Sequence, residues 1–200
     1  MSEPRSPEAR AVQARFPDAL ISESLKLGSL YLCVERARIA DVLELLKTDP
    51  TLGYDYFSEC LGVDYSTWKE DRDLGTRFEV VYNLMSVSSG ARVFVKVGVN
   101  EGEPVPTCMG VFSGAEYPER EVQDLFGIEF AGNGPIPGER FLLPDDWVGF
   151  PLRKEFPLGG EDVVFAHGTL GPAVEDVAAP LAGESFEGTT GTEDVSSRRK

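Results

Sequence analysis

The residues best equipped for chemistry in this 200-residue chain crowd into one stretch. Glu119, Arg120, Glu121 and Asp124 sit within a few positions of one another, Asp145 and Asp146 adjoin Pro144 and Trp147, and Arg153 and Lys154 follow Leu152. Adjacent carboxylates raise the question of metal or acid–base work. A hard cation, however, wants several oxygen ligands at patterned spacings, and an acid–base pair needs a pocket and a tuned environment; this stretch shows neither pattern. Pro144–Trp147 instead reads as a turn or helix start, with two carboxylates near an amide-rich end and one aromatic anchor, which is the chemistry of capping and docking.

Other reactive types are scattered. Cys33, Cys60 and Cys108 are odd in number, far apart and set among apolar or small neighbours, so they read as reduced core or half-buried thiols. One histidine, His167, and no Cys-x-x-Cys leave no basis for a zinc or iron–sulfur site, and His167 is assigned no role. Neither a Gly-x-Gly-x-x-Gly before a helix nor a Walker-type loop is present, so nucleotide or flavin binding has no support.

Charge narrows the partners further. With 19 Lys plus Arg against 34 Asp plus Glu, the formal net charge of -15 repels phosphate backbones and anionic lipid headgroups. The only basic cluster is the terminal Arg198, Arg199 and Lys200, and no apolar run reaches the eighteen or so residues of a membrane span. The expectation is a chain without nucleic acid, without direct membrane insertion, and either soluble or peripheral to something.

The elements that must position the charged stretch follow from periodicity. Ser6 before Pro7 makes an N-cap and first-turn pair for a helix bearing Ala9, Val12 and Phe16. Leu30–Val34 reads as a strand leading into a helix with Ile39, Val42, Leu43 and Leu46 at helical spacing, ending before Asp49-Pro50. Tyr56–Asp64, Arg77–Met85 and Arg92–Val99 read as three further strands, antiparallel neighbours because their connections are short. A loop over 101–106 and a helix over Pro118–Phe126, closed by Gly127, complete an α+β, two-layer domain with a mixed, largely antiparallel sheet.

From Ala131 onward Gly and Pro dominate (Gly132, Gly134, Pro135, Pro137, Gly138, Pro144, Gly149, Pro151, Pro157), so an irregular arm follows the domain. Between Gly159 and Ser197 eight acidic residues and no basic one stand among Gly, Ala, Ser and Thr. That composition suits an extended or disordered tail, which puts the boundary near Leu158, with 1–158 as the domain and arm and 159–200 as the tail.

Within the helix, Arg120 and Asp124 are four apart and pair on that spacing, while Glu119 and Glu121 lie near the positive end of the helix. An exposed pair contributes only about 0.3 to 0.5 kcal/mol, so a charge-dense motif asks for more: a partner contact or a local network fixing the next loop. Pro151–Pro157 reads as a proline-bounded extended segment in which Leu152 and Phe156 insert and Arg153 offers a bidentate fork to a carboxylate.

Residues 117–158, YPEREVQDLFGIEFAGNGPIPGERFLLPDDWVGFPLRKEFPL, resemble the signature region of the thirty-kilodalton subunit family of respiratory complex I, the NADH-quinone oxidoreductase. The resemblance rests on Glu119, Arg120, Glu121, Asp124, Phe126 and Gly127, then on Leu142, Pro144, Asp145, Asp146, Trp147, Gly149, Pro151, Leu152, Arg153, Lys154 and Pro157. Leu61-Gly62-Val63-Asp64-Tyr65 ahead of Phe78-Glu79-Val80-Val81-Tyr82 is similar more loosely. The chain departs from the family at Gly132-Asn133-Gly134-Pro135, where Gly-His-Pro is common, at Phe150 in place of a second histidine, at Glu155 for an aspartate, and across 107–112. No role resting on those histidines transfers.

The resemblance implies a non-catalytic structural subunit in the peripheral arm of a proton-translocating NADH-quinone oxidoreductase. It would be held at the cytoplasmic face of the bacterial membrane through its complex. Its expected partners are the large quinone-site subunit and the iron–sulfur subunits, and FMN and iron–sulfur clusters are expected in other chains, with no cofactor or metal in this one. Glu119, Arg120, Glu121, Asp124, Pro144, Asp145, Asp146, Trp147, Leu152, Arg153 and Lys154 are the expected partner-binding residues. The equivalent subunit of a membrane-bound hydrogenase or formate-oxidising complex is the alternative.

Overall fold

Ser6 and Pro7 open the first helix as their types dictate. In the computed structural model, which describes residues 6–134 and 140–156, α1 spans Pro7–Arg15, and Ser6 Oγ accepts the Ala9 N–H at 3.1 Å. Two strands, β1 (Leu20–Lys26) and β2 (Ser29–Val34), form a hairpin, and a 3-10 turn at Arg36–Arg38 leads into α2 (Ile39–Thr48). Next come β3 (Tyr56–Asp64), β4 (Phe78–Met85), β5 (Arg92–Val99), the two-residue β6 (Val105–Pro106), α3 (Glu116–Phe126) and the two-residue β7 (Phe130–Ala131).

The main sheet runs β1-β2-β5-β4-β3, antiparallel throughout except where β2 lies parallel to β5. This is the mixed, largely antiparallel sheet of an α+β domain, as its patterning predicts. One strand escapes that patterning. β1 reads Leu-Ile-Ser-Glu-Ser-Leu-Lys, too polar for a strand signal, and is ordered by pairing with β2 across a two-residue turn. Val105–Pro106, expected as loop, pairs with β7, a contact too short to leave any periodicity.

Alternate residues of the central strands supply the core. Phe78, Val80, Tyr82 and Leu84 of β4 face the same way as Val93, Val95, Val97 and Val99 of β5, and all are buried. Burying each such apolar side chain contributes on the order of 1.5–3 kcal/mol. α2 covers this face with Ile39, Val42, Leu43 and Leu46. α3 packs close to β3, because a Cβ on Gly62 would stand 2.8 Å from the Phe126 ring and 3.0 Å from Val122.

On the opposite face the buried Glu79 carboxylate is held by Arg72 at 2.7 Å and Lys96 at 2.5 Å. The expected acidic tail over 159–200, its His167, the boundary near Leu158, and Pro135, Pro137 and Gly138 of the irregular segment lie outside the described residues.

Candidate functional site

α3 begins two residues before Pro118, which is tolerated in the first turn because no N–H there needs an intrahelical acceptor. It ends at Gly127, whose φ of 72° is the left-handed conformation that glycine adopts without strain. Gly127 is also a point of close approach: a Cβ there would fall 2.5 Å from the Phe150 ring and 2.8 Å from an Arg153 guanidinium nitrogen. The helix end and the arm are thus fitted to one another through a missing side chain.

Glu119 turns inward. Its carboxylate is fully buried and accepts from the Thr107 hydroxyl at 2.5 Å, the Cys108 N–H at 2.8 Å, the Asn133 amide at 3.0 Å and the Tyr82 hydroxyl at 3.3 Å. A buried carboxylate survives when its lone pairs are filled, and here the sheet and both loops flanking α3 fill them. Asn133 extends the network by donating to the Glu116 carbonyl and accepting from Arg120 Nε at 3.0 Å. Asn133, which stands where the chain departs from the family pattern, is therefore a joining residue.

The Arg120–Asp124 pair expected from spacing does not form. Arg120 pairs instead with Glu116, one turn back at 3.0 Å. Asp124, buried, accepts the backbone N–H groups of Leu142 and Leu143 at 2.8 and 2.9 Å and faces Arg140 at 3.4 Å. Asp124 is thereby committed to the arm: an arm without ladders must find acceptors for its amides, and a carboxylate on α3 provides them.

The arm, residues 140–156, is a run of turns. Trp147 N–H donates to the Pro144 carbonyl, Arg153 N–H to Phe150 and Phe156 N–H to Arg153, so Pro151–Phe156 is not the extended segment that its prolines suggest. The turns bring Trp147 onto Phe156, centroids 6.1 Å apart. Arg153 faces a carboxylate as expected, but one in its own chain: Glu101 at 2.7 Å. Arg153 Nε also donates to the Phe126 carbonyl at 2.7 Å, and Leu152 N–H to Leu125, which satisfies the open C-terminal carbonyls of α3. Its guanidinium lies 4.4 Å from the Phe150 centroid.

A second buried carboxylate holds the far end. Asp64, at the end of β3, accepts the Lys154 N–H at 2.9 Å, the Ser66 N–H at 2.9 Å and Arg77 at 3.4 Å, and Arg77 in turn grips Glu155 at 2.5 Å. Burial pushes the Asp64 carboxyl up, but the two N–H groups and Arg77 outweigh it and hold it below the ordinary value. Glu155 is lowered chiefly by its bond to Arg77.

Both folded values lie below the unfolded ones, so the stabilisation is fully present above about pH 5 and fades as pH falls through the depressed values. Acidification below about pH 4 is therefore expected to loosen the arm before the core. Trp147 fluorescence in a Trp68→Phe background follows this, and Asp64→Asn should flatten the response. Identical acid transitions with and without Asp64→Asn would contradict the assignment.

Of the other expected site residues, Glu121, Pro144, Asp145, Asp146, Leu152 and Lys154 are exposed and Trp147 is half-buried. Asp145 accepts the Arg140 N–H at 3.1 Å. The structure thus divides the set: Asp124 and Arg153 hold the arm, Glu119 ties α3 to the sheet and its flanking loops, and Glu121, Asp146, Leu152 and Lys154 are exposed. Asp64, Arg77, Glu101, Asn133 and Arg140 were missed, and only Asp64 carried a signal, through the looser upstream similarity.

Burial favours the protonated form of the three thiols. Cys33, Cys60 and Cys108 are buried and free, and burial pushes Cys108 up to about 12 and Cys60 well above its ordinary value. No helix among the described residues is long and apolar enough to cross a membrane.

Residues 32–162 match the family described as the respiratory-chain NADH dehydrogenase 30 Kd subunit. The corresponding subunit of the NADH-quinone oxidoreductase of Roseiflexus sp. (strain RS-1) is 43% identical over 157 residues, covering 77% of this chain and 84% of that protein. Its counterpart in Roseiflexus castenholzii is 45% identical over the same length and coverage. Among solved structures, a trypsin-resistant fragment (1-134) of Nqo5 is 33% identical with a TM-score of 0.54, covering 62% of this chain and 94% of the fragment. A chain of the archaeal membrane-bound sulfane sulfur reductase, 24% identical with a TM-score of 0.57 over 74% of this chain and 83% of its own, shares the fold.

Proposed function

This chain belongs to the 30 kDa subunit family of respiratory-chain NADH dehydrogenase, and from that premise we propose that it works as a non-catalytic docking subunit whose preformed arm binds neighbouring subunits in the peripheral arm of the complex. The observation that carries this reading is the division of labour across residues 116–156. Buried Asp124 and Asp64 satisfy the arm from inside, which leaves exposed apolar and charged groups on its outer side with no internal task.

Tyr117 stacks on Phe141, centroids 5.8 Å apart, yet both are exposed, and Leu142 beside them is exposed as well. Val148 is 88% exposed and Leu152 49%. Large apolar groups held outward by buried polar bonds match the anatomy of an interface, where the fixed geometry cuts the entropy lost on binding. Glu121, Asp146 and Lys154 supply the charged surroundings.

The partners in this reading are the large quinone-site subunit and the iron–sulfur subunits, at the cytoplasmic face of the membrane, with FMN, clusters and proton translocation belonging to other chains. The relatives' names favour this assembly over a hydrogenase or formate-oxidising one.

The experiment is a tagged full chain carrying Val148→Asp and Leu152→Asp, purified from gently solubilised membranes. Because both side chains are exposed, its melting temperature should stay within about 2 °C of the parent, as surface changes usually do. Co-elution of the quinone-site and iron–sulfur subunits, and NADH-quinone reductase activity, should fall about tenfold or more, the scale of 1.4 kcal/mol at an interface. Full co-elution and activity in the double variant would sink the docking role of the arm.

A further inference from the structure

The hairpin joining β1 and β2 turns in two residues, Leu27 and Gly28, with Lys26 paired to Ser29. Both central residues have positive φ, 50° at Leu27 and 81° at Gly28, as a type I′ turn requires. Asparagine, aspartate or glycine normally fill the first of these positions, because an L side chain with a Cβ is strained there. Leu27 is the one non-glycine residue with positive φ among the described residues, and it is fully exposed, so nothing within the described chain repays the strain.

The surroundings of Leu27 are equally unusual. Leu25, two residues back, is 74% exposed. The β2–β5 ladder begins only at Leu30, so the tip stands beyond the neighbouring strand. From Ser24 to Val34 there is no acidic residue, in a chain of net charge -15, and the single cation is Lys26. Lys26 is exposed and has no ion-pair partner among the described residues.

We propose that this tip is a plug: Leu25 and Leu27 seat in an apolar socket on a neighbouring protein subunit, with Lys26 meeting a carboxylate on the rim. The proposal rests on the docking-subunit reading and adds a second contact, on the hairpin rather than on the arm. Apolar tip and lone cation together define the partner's chemistry, since an uncharged socket alone would leave Lys26 unmatched and a basic one would repel it. A lipid surface is the less suitable occupant, because one lysine does little to offset the repulsion between a chain of net charge -15 and anionic headgroups.

The strain gives the test its discrimination. Leu27→Asn suits the turn better, so the isolated full chain should melt about 2–4 °C higher. The same variant should be retained in the assembled complex about tenfold less well through a salt and detergent wash, as loss of one buried apolar anchor implies. A photoreactive residue at position 27 of the otherwise unchanged chain, activated in intact membranes, should cross-link to another protein subunit at an apolar segment beside an Asp or Glu. Retention of Leu27→Asn equal to the parent, cross-linking to phospholipid, or no cross-link at all each overturns the plug while leaving the arm's role standing. A parent chain that elutes alone overturns both.

Discussion

Glu119→Ala is expected to destabilise the chain by about 3–5 kcal/mol, the range for removing one partner from a buried charged network. The substitution orphans the Cys108 N–H, the Asn133 amide and the Tyr82 hydroxyl in a site closed to water, and it leaves a cavity between α3 and the sheet. For a chain of this size that amounts to a fall of roughly 10 °C in Tm. Glu119→Gln should lie between, because its amide keeps one acceptor oxygen but points a donor at groups that are themselves donors. Calorimetry on the two variants checks the order, and a loss below about 1 kcal/mol for Glu119→Ala would place Glu119 among ordinary surface carboxylates and contradict its buried role.

Asp124→Ala should act differently, by releasing the arm while sparing the core. The Leu142 and Leu143 N–H groups and Arg140 lose their common acceptor. Hydrogen bonds to a charged acceptor contribute about 1.5–3 kcal/mol each and do not add fully, so an arm loss of about 3 kcal/mol is expected. Limited proteolysis between residues 140 and 156 should then quicken on the order of 100-fold, following the open population, while the main thermal transition moves by only a few degrees. Cleavage at the parent rate would show that other contacts hold the arm.

The contrast between these variants reflects what the sequence made legible. Strands Tyr56–Asp64 and Arg92–Val99 fall where alternation predicts them, and Ser6, Pro7 and Gly127 end helices as their backbone chemistry dictates. Those features are local. The parallel pairing of β2 with β5 and the existence of β1 depend on partners far along the chain, which periodicity does not encode.

The candidate site divides in the same way. Its residues could be gathered from one charged stretch, but their roles were set by tertiary direction. Helical spacing put Asp124 beside Arg120; the fold instead gave Asp124 two amides of the arm and Arg120 a carboxylate one turn earlier. A bidentate fork was expected of Arg153, whereas one of its nitrogens meets Glu101, from the loop after β5, and another meets the Phe126 carbonyl. Asp64 and Arg77, which fasten the far end of the arm through Lys154 and Glu155, lie 90 and 78 residues away from those partners in sequence. No local spacing rule reaches that far.

On the docking reading, the arm is already formed in the free chain and is held there by the buried carboxylates of Asp124 and Asp64. Amide hydrogen exchange on the intact chain, free and within the purified complex, tests this most directly at Leu142, Leu143, Leu152 and Lys154. Protection of these amides of at least about 100-fold is expected in the free chain, corresponding to opening free energies of a few kcal/mol. Protection should deepen on assembly and be lost at Leu142 and Leu143 in Asp124→Ala. Exchange of all four at unstructured rates in the free chain would mean that assembly creates the arm, and would rule out a preformed docking element.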